Sequence, residues 1–160
     1  MKLAEALILR ADCQKRIVQL QQRLIRSAKI QEGEQPPENP NELITELEAV
    51  SAELADLIKR INQTNSQTPF GDGTLSDVLA ERDILRLKRG AYDSLIQAAS
   101  IRQERYSRSE VRFISTVAIA EIQREVDTLS RDYRELDAQI QALNWQTDVV
   151  EGNGNGGASR

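Results

Sequence analysis

The sequence predicts an all-α fold: an antiparallel bundle of about four long helices, assembled from two coiled-coil-like hairpins. Three observations carry this expectation. Leu43, Leu47, Val50, Leu54, Leu57 and Ile61 recur at alternating spacings of four and three, which is the seam of a heptad helix. Ile119, Ile122, Val126, Leu129, Tyr133, Leu136, Ile140 and Leu143 alternate by three and four without a break. Gly33, Pro36, Pro37 and Pro40, and then Pro69, Gly71 and Gly73, forbid one continuous helix through either place.

The first helix spans residues 2–29. Leu3, Leu7, Ile17, Leu20, Leu24 and Ala28 recur at helical spacing, with Lys and Arg between them. Residues 30–40 form a connector. The second helix starts sharply: Asn39 is its cap, Pro40 suits the first helical position, and Glu42 completes a capping-box-like pattern. Residues 65–73 read as a turn. Thr74 caps the third helix and Asp77 falls in its first turn. That helix runs to about residue 103 on a broader stripe that includes Leu75, Val78, Leu79, Leu85, Tyr92, Leu95, Ile96 and Ala99. Gly90 weakens it by about 1 kcal/mol.

Val111, Phe113, Ser115 and Val117 alternate like a short strand and are rich in β-branched side chains. Residues 111–117 are therefore expected to be irregular or a short extended segment, with residues 29–32 as the candidate pairing partner. The last helix covers 118–149, with Leu136 buried in its stripe. Asp127–Arg131 and Arg131–Glu135 are expected to pair four residues apart. A faint echo links Glu53, Leu54, Ile58, Ile61 and Asn62 to Glu135, Leu136, Ile140, Leu143 and Asn144, each 82 residues later. Two heptad sequences reach that similarity by chance. Residues 1–151 are taken as one helical domain and 152–160 as a flexible Gly/Asn-rich tail.

Composition narrows the chemistry. The chain has 160 residues, 21 basic and 25 acidic, for a net charge of −4, which is no nucleic-acid-binding signature. It contains no histidine, which removes imidazole acid/base catalysis, His triads and His metal ligands together. Cys13 is its one cysteine, so no internal disulfide forms. Leu3 to Leu9 is too short and too interrupted by Glu5 for a signal core. No stretch reaches the ~20 apolar residues of a membrane helix, and a cytoplasmic location is expected. Charge is also segregated along the chain. Residues 10–29 hold six basic side chains against Asp12 alone, and residues 32–56 hold eight acidic and no basic ones.

Few constellations could carry function. Arg102, Arg105, Arg108 and Arg112 surround Tyr106, Ser107 and Ser109. Guanidinium forks at this spacing suit an anion or phosphate, or else an ion-pair network with Glu104, Glu110 and facing carboxylates. Trp145, the sole tryptophan, lies off the seam and is a candidate interface anchor or a second-layer core contact. Glu81 and Asp83 diverge on a helix. Asp72 and Asp77 lack calcium-loop spacing, and no glycine-rich phosphate loop exists. No catalytic, cofactor-binding or metal residue is expected, and no cofactor.

Four runs, in their order and spacing, resemble a bacterial family of uncharacterised helical proteins whose members carry the label septicolysin. They are Ile61-Asn62-Gln63-Thr64-Asn65, Ala80-Glu81-Arg82-Asp83, Arg105-Tyr106-Ser107-Arg108-Ser109-Glu110 and Leu143-Asn144-Trp145. The resemblance covers roughly residues 1–151 and implies no catalytic residue. Its label implies a pore-forming toxin, but a secretion signal, a Trp-rich membrane loop and long amphipathic strands are all missing from the sequence. The expected function is structural: an oligomeric helical scaffold or protein-interaction module, with a homo-oligomer of at least two copies. The alternative is a nucleic-acid or polyanion-binding module that uses Arg102–Arg112.

Overall fold

The computed structural model describes residues 1–100 and 111–152. Four helices dominate it: α1 (Leu3–Arg26), α2 (Pro40–Gln67), α3 (Leu75–Ala99) and α4 (Ile119–Gln146). The all-α expectation holds. The chain divides into two compact units, Met1–Pro69 with Ala142–Arg160, and Phe70–Gln141. Among the described residues no helix is long and apolar enough to cross a membrane.

In the first unit α1 and α2 form an antiparallel hairpin. Ala6, Cys13, Leu20 and Ser27 on α1 and its C-cap, and Leu43, Val50, Leu57 and Thr64 on α2, are buried at intervals of seven. Arg16–Glu53 and Arg23–Glu46, each 3.8 Å, step along the two helices in opposite directions. That register sets Leu20 level with Val50 and Cys13 level with Leu57. Asn39 caps α2 by accepting from the Asn41 N–H at 3.0 Å, with Pro40 at the first helical position. Glu42 takes no part in the cap, because the Asn39 side chain turns to the second residue rather than the third. Helix α1 ends at Arg26, three residues earlier than its periodicity suggests, and the Ser27 N–H closes back on the Arg23 carbonyl at 3.1 Å.

Strands β1 (Pro69–Phe70) and β2 (Gly73–Thr74) pair across the Gly71-Asp72 turn. Gly71 has φ +55, where a side chain would be strained. The sequence reading took this stretch as a turn alone. Residues 29–32 and 111–117 are both irregular, the first of the two alternatives that the sequence left open for 111–117. Their β-branched side chains favour extended backbone, but a strand also needs a neighbour to satisfy its ladder.

In the second unit α3 opens on a capping box. Thr74 Oγ1 accepts from the Asp77 N–H at 3.4 Å, and Asp77 Oδ2 accepts from the Thr74 N–H at 2.8 Å. The Thr74 N–H and the Thr74 hydroxyl, which also donates to Asp77 Oδ2 at 2.8 Å, hold the Asp77 carboxyl below its usual range. Arg82 Nη1 donates to Asp137 Oδ1 at 2.9 Å, and the Arg89 guanidinium lies 5.8 Å from the Tyr133 ring centroid. Both contacts run α3 antiparallel to α4. Val126, Leu129 and Ile140 are buried, while Leu136 is only half-buried. The expected Asp127–Arg131 and Arg131–Glu135 pairs give way to other partners. Arg131 meets Asp132 at 3.3 Å, and Asp127 accepts from Gln123 at 3.1 Å. The echoed positions differ in environment: Ile58 and Asn62 are exposed, Ile140 and Asn144 buried.

Candidate functional site

A polar clasp in the first unit joins residues 1–3 and 147–150 to each other and to the last turns of α2. The Leu3 N–H donates to the Thr147 carbonyl at 2.9 Å, and the Val149 N–H donates to the Met1 carbonyl at 3.0 Å. Lys2 and Asp148 face each other as an isolated antiparallel bridge, and their side chains form an ion pair at 2.9 Å. Lys2 holds the Asp148 carboxyl below the usual carboxylate range. Arg60 Nε donates to the Val150 carbonyl at 3.0 Å, and the Val150 N–H donates to Thr64 Oγ1 at 3.1 Å. Thr64 and Thr68 donate their hydroxyls to carbonyls four residues back on α2, at 2.8 and 2.7 Å.

A cavity of about 580 Å³ lies beside the clasp, lined by Thr64, Gln67, Thr68, Leu143, Gln146 and Asp148 among others. It is a shallow depression open to solvent. Its one ionisable group, Asp148, is already engaged by Lys2, so no acid/base pair converges there. A second cavity, of about 410 Å³ in the second unit, lies between the end of α3 and residues 113–117, where Leu95, Phe113 and Ile114 stand beside Ser100, Ser115 and Thr116. Among the described residues no three metal-ligating side chains converge. Cys13 is buried, and desolvation together with the nearby Glu53 carboxylate pushes its thiol up. A protonated, inaccessible thiol is a poor nucleophile.

Of the residues singled out from sequence, Arg102, Arg105 and Arg108 lie outside the described residues, as do Tyr106, Ser107 and Ser109. Arg112 is described and exposed. Trp145 is 55% exposed near the end of α4, so its indole faces solvent rather than a second core layer. The clasp itself had no sequence signal. Lys2 and Asp148 are single charged residues 146 apart, with no period to connect them.

Fold and site together define a long-helix, two-hairpin protein without a converged catalytic set among its described residues. Residues 10–149 match the model of DUF6847, described as a family of unknown function, and the chain belongs to that family. It is also similar to a solved structure described as a functionally unknown conserved protein from Corynebacterium diphtheriae. That similarity has 47% sequence identity and a TM-score of 0.88, and it covers 94% of this chain and 99% of the other. No curated protein matches. Neither description carries the toxin label or assigns a reaction.

Proposed function

We propose that this chain is a non-enzymatic helical scaffold of the cytoplasm that associates with itself and presents a further surface to a protein partner. The observation that carries the reading is that each hairpin shows apolar side chains on faces turned away from its own seam. Val18 and Ile25 are exposed on α1, and Ile84 and Leu87 on α3. Contiguous apolar surface outside a monomer's core marks interaction sites, and closed symmetric assembly is the usual way to cover it. Exposed Trp145 is a natural anchor for such a contact. Sedimentation equilibrium tests the reading. We expect a dimer or larger species at micromolar concentration, and one 18.0 kDa species at both low and high salt overturns it.

A second reading takes Arg102, Arg105, Arg108 and Arg112 as a polyanion site, favoured by the exposure of Arg112. It requires nucleic-acid binding that weakens steeply with salt. Pore formation, the activity behind the septicolysin label, is not part of either reading, and dye release from liposomes by the purified protein would restore it.

A further inference from the structure

Helix α3 carries two heptad stripes. One, through Val78, Arg82, Leu85 and Arg89, faces α4, as the contacts of Arg82 with Asp137 and of Arg89 with Tyr133 show. The other is Ala80, Ile84, Leu87, Ala91, Ser94 and Ala98, again at alternating spacings of four and three. Ile84 stands two residues after Arg82 and Leu87 two residues before Arg89, each about 200° around the helix from its arginine. The second stripe therefore lies on the side of α3 turned away from α4. All six of its positions are exposed, Ile84 by 54% and Leu87 by 65%. The hairpin thus uses one of the two seams that its α3 helix presents.

We propose that the outward seam of α3 packs against α3 of a second copy of the chain, in parallel, about a twofold axis that runs along the helices. The proposal rests on the scaffold reading above and assigns its self-association to one helix. The residue types point to this geometry. Ile84 falls at an a position and Leu87 at the following d position, and a β-branched residue at a with leucine at d favours two parallel strands. With the copies in register, Ile84 meets Ile84 and Leu87 meets Leu87, while Ala91, Ser94 and Ala98 let the backbones approach. The overlap covers residues 80–98, roughly 27 Å of helix.

Charge at the borders selects the same arrangement. Asp83 precedes Ile84 and Lys88 follows Leu87, so they flank the outward seam from opposite sides, at the g and e positions whose salt bridges set orientation. In a parallel pair a g residue meets the e residue five further along on the other helix. Asp83 of each copy then comes beside Lys88 of the other, twice by symmetry. Lys88 is exposed and has no ion pair among the described residues. Asp83 engages Arg82 and Arg86 through Oδ1 alone, at 3.3 and 3.8 Å, which leaves Oδ2 to a further cation. An antiparallel pair that covers the whole stripe sets Lys88 against Lys88. One slid along to bring Lys88 onto Glu81 leaves Ala98 beyond the overlap.

Sedimentation equilibrium and cysteine crosslinking of the full chain decide, with far-UV circular dichroism to report helicity. The double variant Ile84→Glu/Leu87→Glu should keep wild-type helicity, because both positions are exposed, and should raise the dimer Kd by roughly 100-fold or more. Lys88→Asp alone should weaken the dimer, and Lys88→Asp with Asp83→Lys should restore it. Under mild oxidation Ala80→Cys and Ala98→Cys should each give a disulfide-linked dimer, while the wild type, whose Cys13 is buried, should give none. Should the glutamate double variant lose helicity, crosslinking alone gives the answer. A wild-type dimer that is unaffected by Ile84→Glu/Leu87→Glu overturns the assignment to α3. Crosslinking of Ala80→Cys only to Ala91→Cys in a mixture of the two variants, or a charge exchange that fails to restore association, overturns the parallel pairing. A wild type that is monomeric throughout overturns the scaffold reading itself.

Discussion

The hairpin α1–α2 carries one arginine in its seam, Arg10, with its Nε buried and without a hydrogen-bond partner, whereas α3–α4 carries arginine at two of its seam positions. Counting by three and four from Leu75 passes through Val78, Arg82, Leu85, Arg89, Tyr92, Ile96 and Ala99. Arg82 reaches Asp137, yet its Nε is buried without a partner. Arg89 lies against Tyr133. A guanidinium in a seam gives up hydration that its partners return only in part. Among its described residues α3 buries only Leu75 and Val78 at its first turn. With two guanidiniums in its seam to the first hairpin's one, the second hairpin is the one expected to open locally. Amides in the middle of α2 should exchange with solvent more slowly than those around Arg89.

The largest expected effect tests the first seam. Leu20 is 1% exposed, and Leu20→Ala should destabilise the protein by about 2–5 kcal/mol in urea unfolding, the range for a buried leucine truncation. A loss below ~1 kcal/mol would mean that the α1–α2 seam is not the core. Next comes the charged seam. The side chains of Arg82 and Asp137 are 21 and 32% exposed, so Arg82→Ala should cost about 1–2 kcal/mol, between the surface and buried limits for an ion pair. The double change Arg82→Met/Asp137→Leu should recover that loss or exceed wild-type stability. If the double variant is as unstable as the single, the pair does more than fill a seam position.

Gly90 gives a smaller effect of opposite sign. It sits inside α3, and a Cβ there would meet nothing within 4 Å. Gly90→Ala should raise the melting temperature, worth about 0.5–1 kcal/mol of helix propensity. A destabilised Gly90→Ala would reveal a close backbone neighbour supplied by another molecule. The smallest effect concerns the clasp. Lys2 depresses the Asp148 pKa, so the contribution of the pair is present above the carboxyl's unfolded value of about 3.9 and lost as pH falls through the lower folded value. Exchange protection of the Leu3 and Val149 amides should drop in that acidic window. Asp148→Asn should remove the pH dependence at the clasp and leave α3 unchanged.

The heptad in α2 was legible because every a and d position carries an apolar or small side chain, and Asn39-Pro40 announces its start through local chemistry alone. The stripe of α3 looked broad and irregular for a definite reason: its missing rungs are arginines, which a hydrophobic pattern skips. Density of β-branched residues at 111–117 suggested extension, but propensity does not supply a pairing partner. The β1–β2 pairing escaped notice because two-residue strands have no period. For the site, the arginine cluster is conspicuous in the sequence as a run of charge, while the clasp depends on backbone groups that any residues could offer.

The clasp brings residue 1 within a hydrogen bond of residue 149. A short linker from residue 152 to residue 1 would leave the hydrogen bonds of the clasp in place, and a cut could be made in the connector between α1 and α2, near the positive-φ Gly33, where residues 31–35 are exposed. In such a circular permutant α1 and α2 become the last and first helices of the chain, and the hairpin closes across the full length of the molecule instead of across a short connector. Loop-closure entropy grows only logarithmically with length, so the permutant should fold to the same structure, with its slowest step moved to the pairing of α1 and α2.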